Sequence, residues 1–322
     1  MSLEDMSSVS YAEEDIISKT SGFHIHTYRW IPIAMLDFLQ GKDASTIQPK
    51  ACVFLIHGLH SNTFCEYLEP DPSQNSARRL YQNSIPQLLN GHGFVVFAHD
   101  HQGHGKSQGK CKGYFNSMDT LVADTYQYME WITKEKYPVL KEKPLFLIGC
   151  SMGSLVSILL GLKYESLLRG AVLISPAVSQ ASNQFGVMGR ILRPLSGIVS
   201  TWYPTLPVLR LPKNEKFPEL QKSWDNDELN YHGKLRARVG EQFMKTYDEL
   251  SEKATLFSVP FIMYYGSEDT LVDPKGMQSF FDKVASSDKK VVLLEGRWHI
   301  LHHEPGKESV RQQFLQWMEE RC

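Results

Sequence analysis

The sequence predicts an α/β protein with a mostly parallel central sheet flanked by helices. Its buried strands stand out as short, nearly continuous apolar runs separated by segments of helical spacing, which is typical of βαβ units. Most of these runs end in loops that carry Gly, Ser, His or Asp, and such loops face the ligand crevice of an open α/β sheet. The rhythm stops after residue 176 and resumes near residue 259, which indicates an inserted segment.

Composition limits the class of protein. The 322 residues, 42% of them hydrophobic, are sufficient for one α/β core with an insertion. Lys and Arg number 34 against 36 Asp and Glu, so no basic field favours a nucleic-acid partner. Five scattered cysteines are typical of free thiols in a reducing compartment, and we find no apolar leader and no long apolar run. We therefore expect a cytoplasmic protein that does not span a membrane.

The chain divides into four expected regions. Residues 1–20 are acidic and are expected to form a mobile N-terminal tail, whereas residues 21–176 and 251–322 form the two parts of the core. Residues 177–250 are expected to form a helical cap, or lid, inserted between them. Within the first core part, two polar stretches are expected at the surface, a linker near 33–50 and an excursion near 66–84.

The core elements follow in order. Alternating residues from Phe23 predict a half-exposed first strand. Buried strands are predicted at Cys52–Ile56, Phe94–Ala98, Leu145–Ile148 and Ala171–Ile174, and further strands at Val259–Tyr265 and Lys289–Leu294. Helices are predicted near Ile85–Asn90, Asp119–Glu135 and Ser309–Glu319, and a further apolar segment, Leu155–Leu160, follows the run Leu145–Ile148.

The run Gly149-Cys-Ser-Met-Gly153 has the strand, turn and helix context of a G-x-S-x-G nucleophile elbow. Ser151 occupies the apex, where its hydroxyl would project from a sharp turn. The N–H of Met152, at the helix start, could stabilise an oxyanion. A second donor is the N–H of Leu59, in the loop His57-Gly58-Leu59, although this dipeptide is equally compatible with a simple turn. Cys150 is a weaker candidate nucleophile, because the side chain before the apex should point away from the crevice.

Two acids compete for the third catalytic role. Asp273 precedes Pro274, a pair typical of a helix N-cap, so Asp269 is the better orienting carboxylate. His299 follows the last predicted strand. Either residue alone could be structural, but the order Ser, Asp, His with each residue just past a strand is that of α/β-hydrolases.

The cluster His99-Asp-His-Gln-Gly-His104 could suggest a metal centre. A metallo-hydrolase pattern would require an acid where Gly103 stands, and matching ligands do not follow later in the chain. We therefore expect no metal and no cofactor, and we interpret the stretch as a tight crossover loop in which Asp100 accepts from backbone N–H groups.

Within the expected cap, an apolar stripe at helical spacing includes Met188, Leu192, Ile198 and Trp202. The stripe either packs against the core, or lines an acyl tunnel and contacts a lipid surface. These four residues are the candidate substrate-binding positions of the cap.

The chain resembles monoacylglycerol lipase or lysophospholipase-like α/β-hydrolases over about residues 23–321. The resemblance is most specific in four stretches: Val96–Gly109, Gly149–Gly153, Gly266–Asp269 and Glu295–His302. It implies a serine esterase acting on one long acyl chain, with Ser151, Asp269 and His299 as the triad and Leu59 and Met152 as oxyanion donors. It also implies an inserted cap and a head-group contact from His302.

The loop after Gly58 departs from the family, because the Glu and Arg that usually hold the polar head are absent from Leu59–Thr63. Selectivity for glycerol is therefore open. The expected activity is hydrolysis of a monoacylglycerol or lysophospholipid through an acyl-enzyme, with contact between the cap and a membrane surface. The alternatives are a broader esterase, thioesterase or peptidase of the same fold, and a hydrolase-fold receptor without turnover.

Overall fold

An eight-stranded sheet organises the chain, in a computed structural model that describes residues 7–42, 47–71, 78–179 and 196–322. In chain order its strands are β1 Val9–Ile17, β2 His24–Pro32, β3 Ala51–Ile56, β4 Phe94–His99, β5 Leu145–Cys150, β6 Gly170–Ile174, β7 Phe261–Gly266 and β8 Lys289–Leu294. Their spatial order is β1-β2-β4-β3-β5-β6-β7-β8. The pairs β1–β2 and β2–β4 are antiparallel, and every other pair is parallel. The predicted, mostly parallel sheet is confirmed.

Helices cover both faces of this sheet. They are α1 Leu36–Leu39, α2 Thr63–Tyr67, α3 Ile85–Gly91, α4 Met118–Glu130, α5 Met152–Tyr164, α6 Pro218–Asp225, α7 Ala237–Lys253, α8 Pro274–Lys283 and α9 Lys307–Glu319. Along β3, Phe54 belongs to one apolar cluster, whereas Val53 and Leu55 belong to the other. Burial on both faces explains the continuous apolar runs in the sequence. None of the described helices is both long enough and apolar enough to cross a bilayer.

The expectation of a mobile tail over residues 1–20 is wrong for Val9–Ile17, which form β1 along the edge of the sheet. The acids that suggested a solvated tail have partners across the sheet. Glu13 lies 2.7 Å from His26, and Glu14 lies 2.7 Å from Lys136 and also contacts Arg29. Paired charges of this kind favour an edge strand without apolar alternation.

The two polar stretches are more structured than expected. Residues 33–39 form a 3-10 turn and α1, with Met35 and Leu39 buried. In the predicted surface excursion, Glu66–Asp71 are mostly buried, and Glu69–Pro70 pairs with Arg79–Leu80. Burial is tolerated here because Glu69 pairs with Arg311 and Lys307.

The segment between β6 and β7 contains no strand of the main sheet among its described residues. It holds helical residues 196–202, a short antiparallel pair of Pro207–Leu209 with Leu235–Arg236, and α6 and α7. The α7 helix continues to Lys253, so the boundary predicted at residue 250 falls inside a helix. Its residues Val239, Phe243 and Leu250 are buried in the main apolar core. A separate cap remains a prediction.

The parallel strands bring the predicted loops to one edge of the sheet. β3, β5, β7 and β8 point the same way, and the loops after them carry Leu59, Ser151, Asp269 and His299. Beside them, Asp100 accepts from the N–H groups of Thr63 and Lys106, both at 2.8 Å, as expected for a crossover loop. This edge is where an open α/β sheet binds its ligands.

Candidate active site

Ser151 lies at a sharp turn between β5 and α5. Its φ of 55° and ψ of −115° are unusual for a residue other than glycine. Space around the turn is minimal: a Cβ on Gly149 would lie 2.5 Å from the backbone of Gly153, and one on Gly153 would collide with the carbonyl of Ile56. The two glycines therefore permit this turn, which presents the Ser151 side chain at the sheet edge.

Two backbone N–H groups lie close to this serine. Met152 is the first residue of α5, where an N–H has no acceptor inside the helix. The loop carrying Leu59 passes beside the turn, because a Cβ on Gly58 would lie 3.4 Å from both the Ser151 Cβ and the Cys150 carbonyl oxygen. Among the described residues we find no acceptor for the Leu59 N–H. We therefore expect both groups to donate to a new oxygen that forms near Ser151.

Asp269 and His299 form a buried pair. The ring Nδ1 of His299 lies 2.6 Å from Oδ2 of Asp269, and both side chains are almost fully buried. The other carboxylate oxygen accepts from the N–H groups of Leu271 and Val272 at 2.8 and 3.0 Å. Asp273, the competing acid, caps α8 by accepting from the N–H of Lys275. The carboxylate of Asp269 is therefore the one that fixes the ring.

The environment sets the protonation of His299. Burial alone would lower the pKa of its ring, but the charge and hydrogen bond of Asp269 outweigh burial, with further contributions from the charges of Glu66 and Glu304. The net result is a pKa raised above the ordinary value for histidine. The site thus favours the imidazolium that forms when the ring accepts a proton.

Two buried side chains hold the loop of His299 in place. The carboxylate of Glu304 accepts from the backbone N–H groups of Trp298, His299 and Ile300, at 2.8–2.9 Å. Ser175, at the end of β6, donates its hydroxyl to the carbonyl of His299 at 2.7 Å. Sequence reasoning missed both residues, because their role depends on contacts between segments that are distant in the chain.

Ser151 and His299 line one cavity of about 300 Å³. Among the described residues no hydrogen bond joins the Ser151 hydroxyl to the imidazole. Catalytic contacts in unliganded enzymes are often long and tighten when substrate binds. The remaining wall is largely apolar and includes Leu209, Leu211, Leu235, Phe243, Met244, Tyr247 and Val272. A cavity of this lining suits an aliphatic chain.

The predicted substrate-binding residues do not line the cavity where the structure describes them. His302 is fully buried and does not line the cavity; its Nε2 lies 2.8 Å from the carbonyl oxygen of Glu66. We therefore correct this prediction: the His302 ring packs against Glu66, and Glu66 separates the ring from a ligand in the cavity. Ile198 and Trp202 are 59% and 75% exposed and lie outside the cavity wall, so they do not line a tunnel in this conformation. Met188 and Leu192 lie outside the described residues.

Glu66, Cys150 and His302 form the one group of potential metal ligands among the described residues, with ligand atoms within 4.8 Å of one another. Hydrogen bonding already engages this group, because His302 contacts the Glu66 backbone. Burial, and then the Glu66 charge, raise the pKa of Cys150 well above the thiol value. A thiol whose pKa is raised is a poor nucleophile, which disfavours Cys150 in that role.

Comparisons with known proteins agree with this geometry. A family model described as serine aminopeptidase, S33 matches residues 75–306. A monoglyceride lipase of Homo sapiens is 29% identical over 281 residues, covering 85% of this chain and 84% of the human protein.

Two solved structures show the same fold. A monoacylglycerol lipase of Paleococcus ferrophilus has a TM-score of 0.68 at 22% identity, covering 85% of this chain and 96% of its own. A soluble variant of monoglyceride lipase from Saccharomyces cerevisiae, solved with a substrate analog, has a TM-score of 0.73 at 18% identity, covering 99% of this chain and 96% of its own. The α/β-hydrolase fold is thereby confirmed.

Proposed function

The chain belongs to the serine aminopeptidase S33 family of hydrolases, and from this we propose that it cleaves the ester of a single long acyl chain with Ser151, His299 and Asp269 as its catalytic triad. The family and the relatives show a serine hydrolase of carboxylic esters, of the monoacylglycerol lipase type. The observation that supports the residue assignment best is the 2.6 Å contact of His299 with Asp269, on a cavity that Ser151 also lines.

In the proposed reaction, His299 removes the proton of the Ser151 hydroxyl as its oxygen attacks the ester carbonyl. The negative charge that forms on the carbonyl oxygen is stabilised by the N–H groups of Leu59 and Met152. His299 then gives the proton to the leaving alcohol, and an acyl-serine remains. Water, deprotonated by the same ring, attacks this acyl-enzyme, and the fatty acid and free Ser151 result.

Asp269 supports both steps without taking the proton. It fixes the tautomer that leaves Nε2 free for Ser151, and its charge stabilises the imidazolium. The apolar residues of the cavity remove the acyl chain from water, a gain of about 0.8 kcal/mol for each buried CH₂. The cavity thus favours a long acyl chain over the charged or polar groups of a peptide.

A fluorophosphonate probe tests the assignment. Wild type should be labelled and should hydrolyse a long-chain monoacylglycerol, whereas Ser151→Ala should do neither. Exposed Ser251→Ala is the matched control and should behave as wild type. Equal labelling of Ser151→Ala and wild type would refute the nucleophile, and turnover of aminoacyl amides in preference to acyl esters would refute the substrate class.

We also propose that an exposed apolar surface contacts membranes peripherally. The surface consists of Ile198, Trp202, Tyr203, Leu206 and Val208, which are 45–75% exposed and precede the cavity-lining Leu209. The double variant Ile198→Ala and Trp202→Ala should co-sediment less with phosphatidylcholine vesicles than wild type. Leu256→Ala, which removes an exposed leucine elsewhere, should leave binding unchanged. Equal binding of all three proteins would contradict the proposal.

A further inference from the structure

Arg79 is a buried cation on the wall of the catalytic cavity. It is 5% exposed, and it lines the cavity together with Ser151 and His299. It comes from the stretch 66–84 that we expected at the surface, and its neighbour across the short strand pair is Pro70. A buried guanidinium requires compensating acceptors, so its partners need to be accounted for.

The protein satisfies this guanidinium only in part. Its hydrogen bonds to the described residues all use Nη2. This nitrogen lies 3.1 Å from Cys65 Sγ, 3.2 Å from the carbonyl oxygen of Ser223 and 3.4 Å from Asp227 Oδ2. A strong guanidinium–carboxylate contact is shorter, about 2.7–2.9 Å. Nε is buried and has no acceptor among the described residues, and no hydrogen bond of Nη1 to them is found either. Nη1 therefore remains available to an acceptor on a ligand, whereas Nη2 is already engaged.

Arg79 contacts the helix that follows the loop of Leu59 in the chain. Its partner Cys65 lies in α2, which begins four residues after Leu59 of the oxyanion loop. His303, which follows His299 closely in the chain, also lines the cavity, and its pKa is lowered well below the ordinary value by burial and by neighbouring cations including Arg79. A neutral imidazole and a cation thus line the same cavity as His299, and the contacts with Ser223 and Asp227 join Arg79 to the segment that supplies much of the apolar wall.

Among the Arg and Lys residues that line the cavity, Arg79 is the buried one. Arg210 and Lys213 line the same cavity but are exposed, and Lys213 pairs with Asp225 at 3.0 Å. The opposing buried carboxylate is that of Glu66, which lies 3.6 Å from His302 and is hydrogen-bonded by Cys150 and Ser61. The Glu66 charge is thus engaged by its own neighbours.

We propose that Arg79 binds the phosphate of a single-chain phospholipid, so that the enzyme prefers lysophospholipids to monoacylglycerols. The proposal rests on the proposed function, since it concerns the head group of the same substrate. A phosphodiester supplies a negative charge and an oxygen that can accept from Nη1 of the guanidinium. The hydroxyl groups of glycerol supply no charge and would leave Arg79 compensated only by Asp227.

The test measures kcat/KM for lysophosphatidylcholine and for the monoacylglycerol with the same acyl chain. Wild type should prefer the lysophospholipid. Arg79→Gln should lower kcat/KM for the lysophospholipid at least tenfold and change that for the monoacylglycerol less than threefold, and Arg79→Lys should recover part of the loss. Lysophosphatidic acid, which lacks choline, should show the same dependence on Arg79. The adjacent Arg78→Gln is the matched control and should keep the wild-type ratio.

The ratio of the two substrates separates recognition from a structural role, since it does not depend on the fraction of folded enzyme. If Arg79 only clamps the loop of Ser223 and Asp227, then Arg79→Gln and Asp227→Asn should lower both activities equally, and the proposal is wrong. A wild type that ignores lysophospholipids also overturns it. In either case labelling of Ser151 and hydrolysis of monoacylglycerol would stand, so failure of this inference is distinct from failure of the proposed function.

Discussion

The hydroxyl of Ser175 donates to the carbonyl oxygen of His299 across 2.7 Å, and so joins the end of β6 to the loop that carries the proposed general base. Ser175 is fully buried and has a φ of 43°, a backbone conformation that residues other than glycine rarely adopt. Its own N–H donates to the carbonyl of Tyr264 in β7. Backbone strain at this position is thus coupled to the placement of the imidazole.

From this contact we expect Ser175→Ala to lower kcat about tenfold to a hundredfold with little change in KM, because a displaced imidazole affects the reaction more than binding. Ser175→Gly relieves the positive φ but also lacks the hydroxyl, so its kcat should fall similarly while its thermal stability exceeds that of the Ala variant. Steady-state kinetics and thermal unfolding provide both readouts.

Ser286→Ala is the matched control for Ser175. Ser286 is buried and its hydroxyl also donates to a carbonyl, that of Asp288, but it contacts no part of the site. It should lose stability only. Normal kcat in both Ser175 variants would show that the contact has no part in positioning His299.

The pH dependence of kcat/KM should report the Asp269–His299 pair. His299 accepts a proton only when neutral, and Asp269 raises its pKa above the ordinary value, so activity should fall as the pH drops through that raised pKa. Asp269→Asn removes the raising charge while burial of the ring remains. The acid limb should therefore move to lower pH, and kcat should fall roughly a thousandfold to ten-thousandfold.

Asp273→Asn is the control for this prediction, since Asp273 only caps α8. It should keep the wild-type pH profile and near-normal activity, because Asn is an equally good N-cap residue. An unchanged acid limb in Asp269→Asn would contradict the assigned role of Asp269. A displaced acid limb in Asp273→Asn would mean that Asp273, and not Asp269, sets the pKa of His299.

Acid should destabilise the fold, because several buried imidazoles lie beside the loop that carries Leu59. His57 accepts the backbone N–H of His101 on Nε2 at 2.9 Å, so protonation of this nitrogen would break the bond. Burial, with smaller contributions from neighbouring charges, lowers the pKa of His60, His99 and His104 to about 3. Below a pH of about 6.5 the unfolded chain therefore binds more protons than the folded protein, and the free energy of unfolding falls with the pH.

Urea unfolding between pH 5 and pH 8 measures this dependence. His99→Gln should reduce the slope below pH 6.5 by up to about 1.4 kcal/mol per pH unit, the value for one proton, whatever its effect on stability at pH 8. The exposed His24→Gln should keep the wild-type slope. A wild-type free energy of unfolding that is flat from pH 8 to pH 5 would exclude proton uptake by these residues on unfolding.

The sequence was sufficient for the strands β2 to β8 of the sheet and for the placement of the chemistry-bearing loops. Ser151, Asp269 and His299 each follow a parallel strand, and parallel strands bring their carboxyl ends to one edge. The pattern of apolar runs along the chain therefore predicted which loops lie at the same edge of the sheet. It also separated Asp269 from Asp273, because an acid before proline at a helix start has a recognisable structural role.

Contacts between distant segments were not predictable in the same way. Glu304 and Ser175 hold the His299 loop through hydrogen bonds that no periodicity or spacing reports. The acids of β1 suggested a solvated tail, since composition does not reveal that Glu13 would face His26 across the sheet. Arg79 was likewise placed at the surface by its polar neighbours. For Glu13 and Arg79 a charged side chain was assigned to water although the fold supplies a partner.

The position of β1 at the rim of the sheet has a practical meaning for work with shortened chains. Removing the first twenty residues would strip β2 of its antiparallel neighbour and leave a row of unpaired backbone groups open to solvent. Such an uncovered edge templates association with other molecules. A protein truncated there should self-associate, so fusion partners are better attached ahead of Val9 than in place of it.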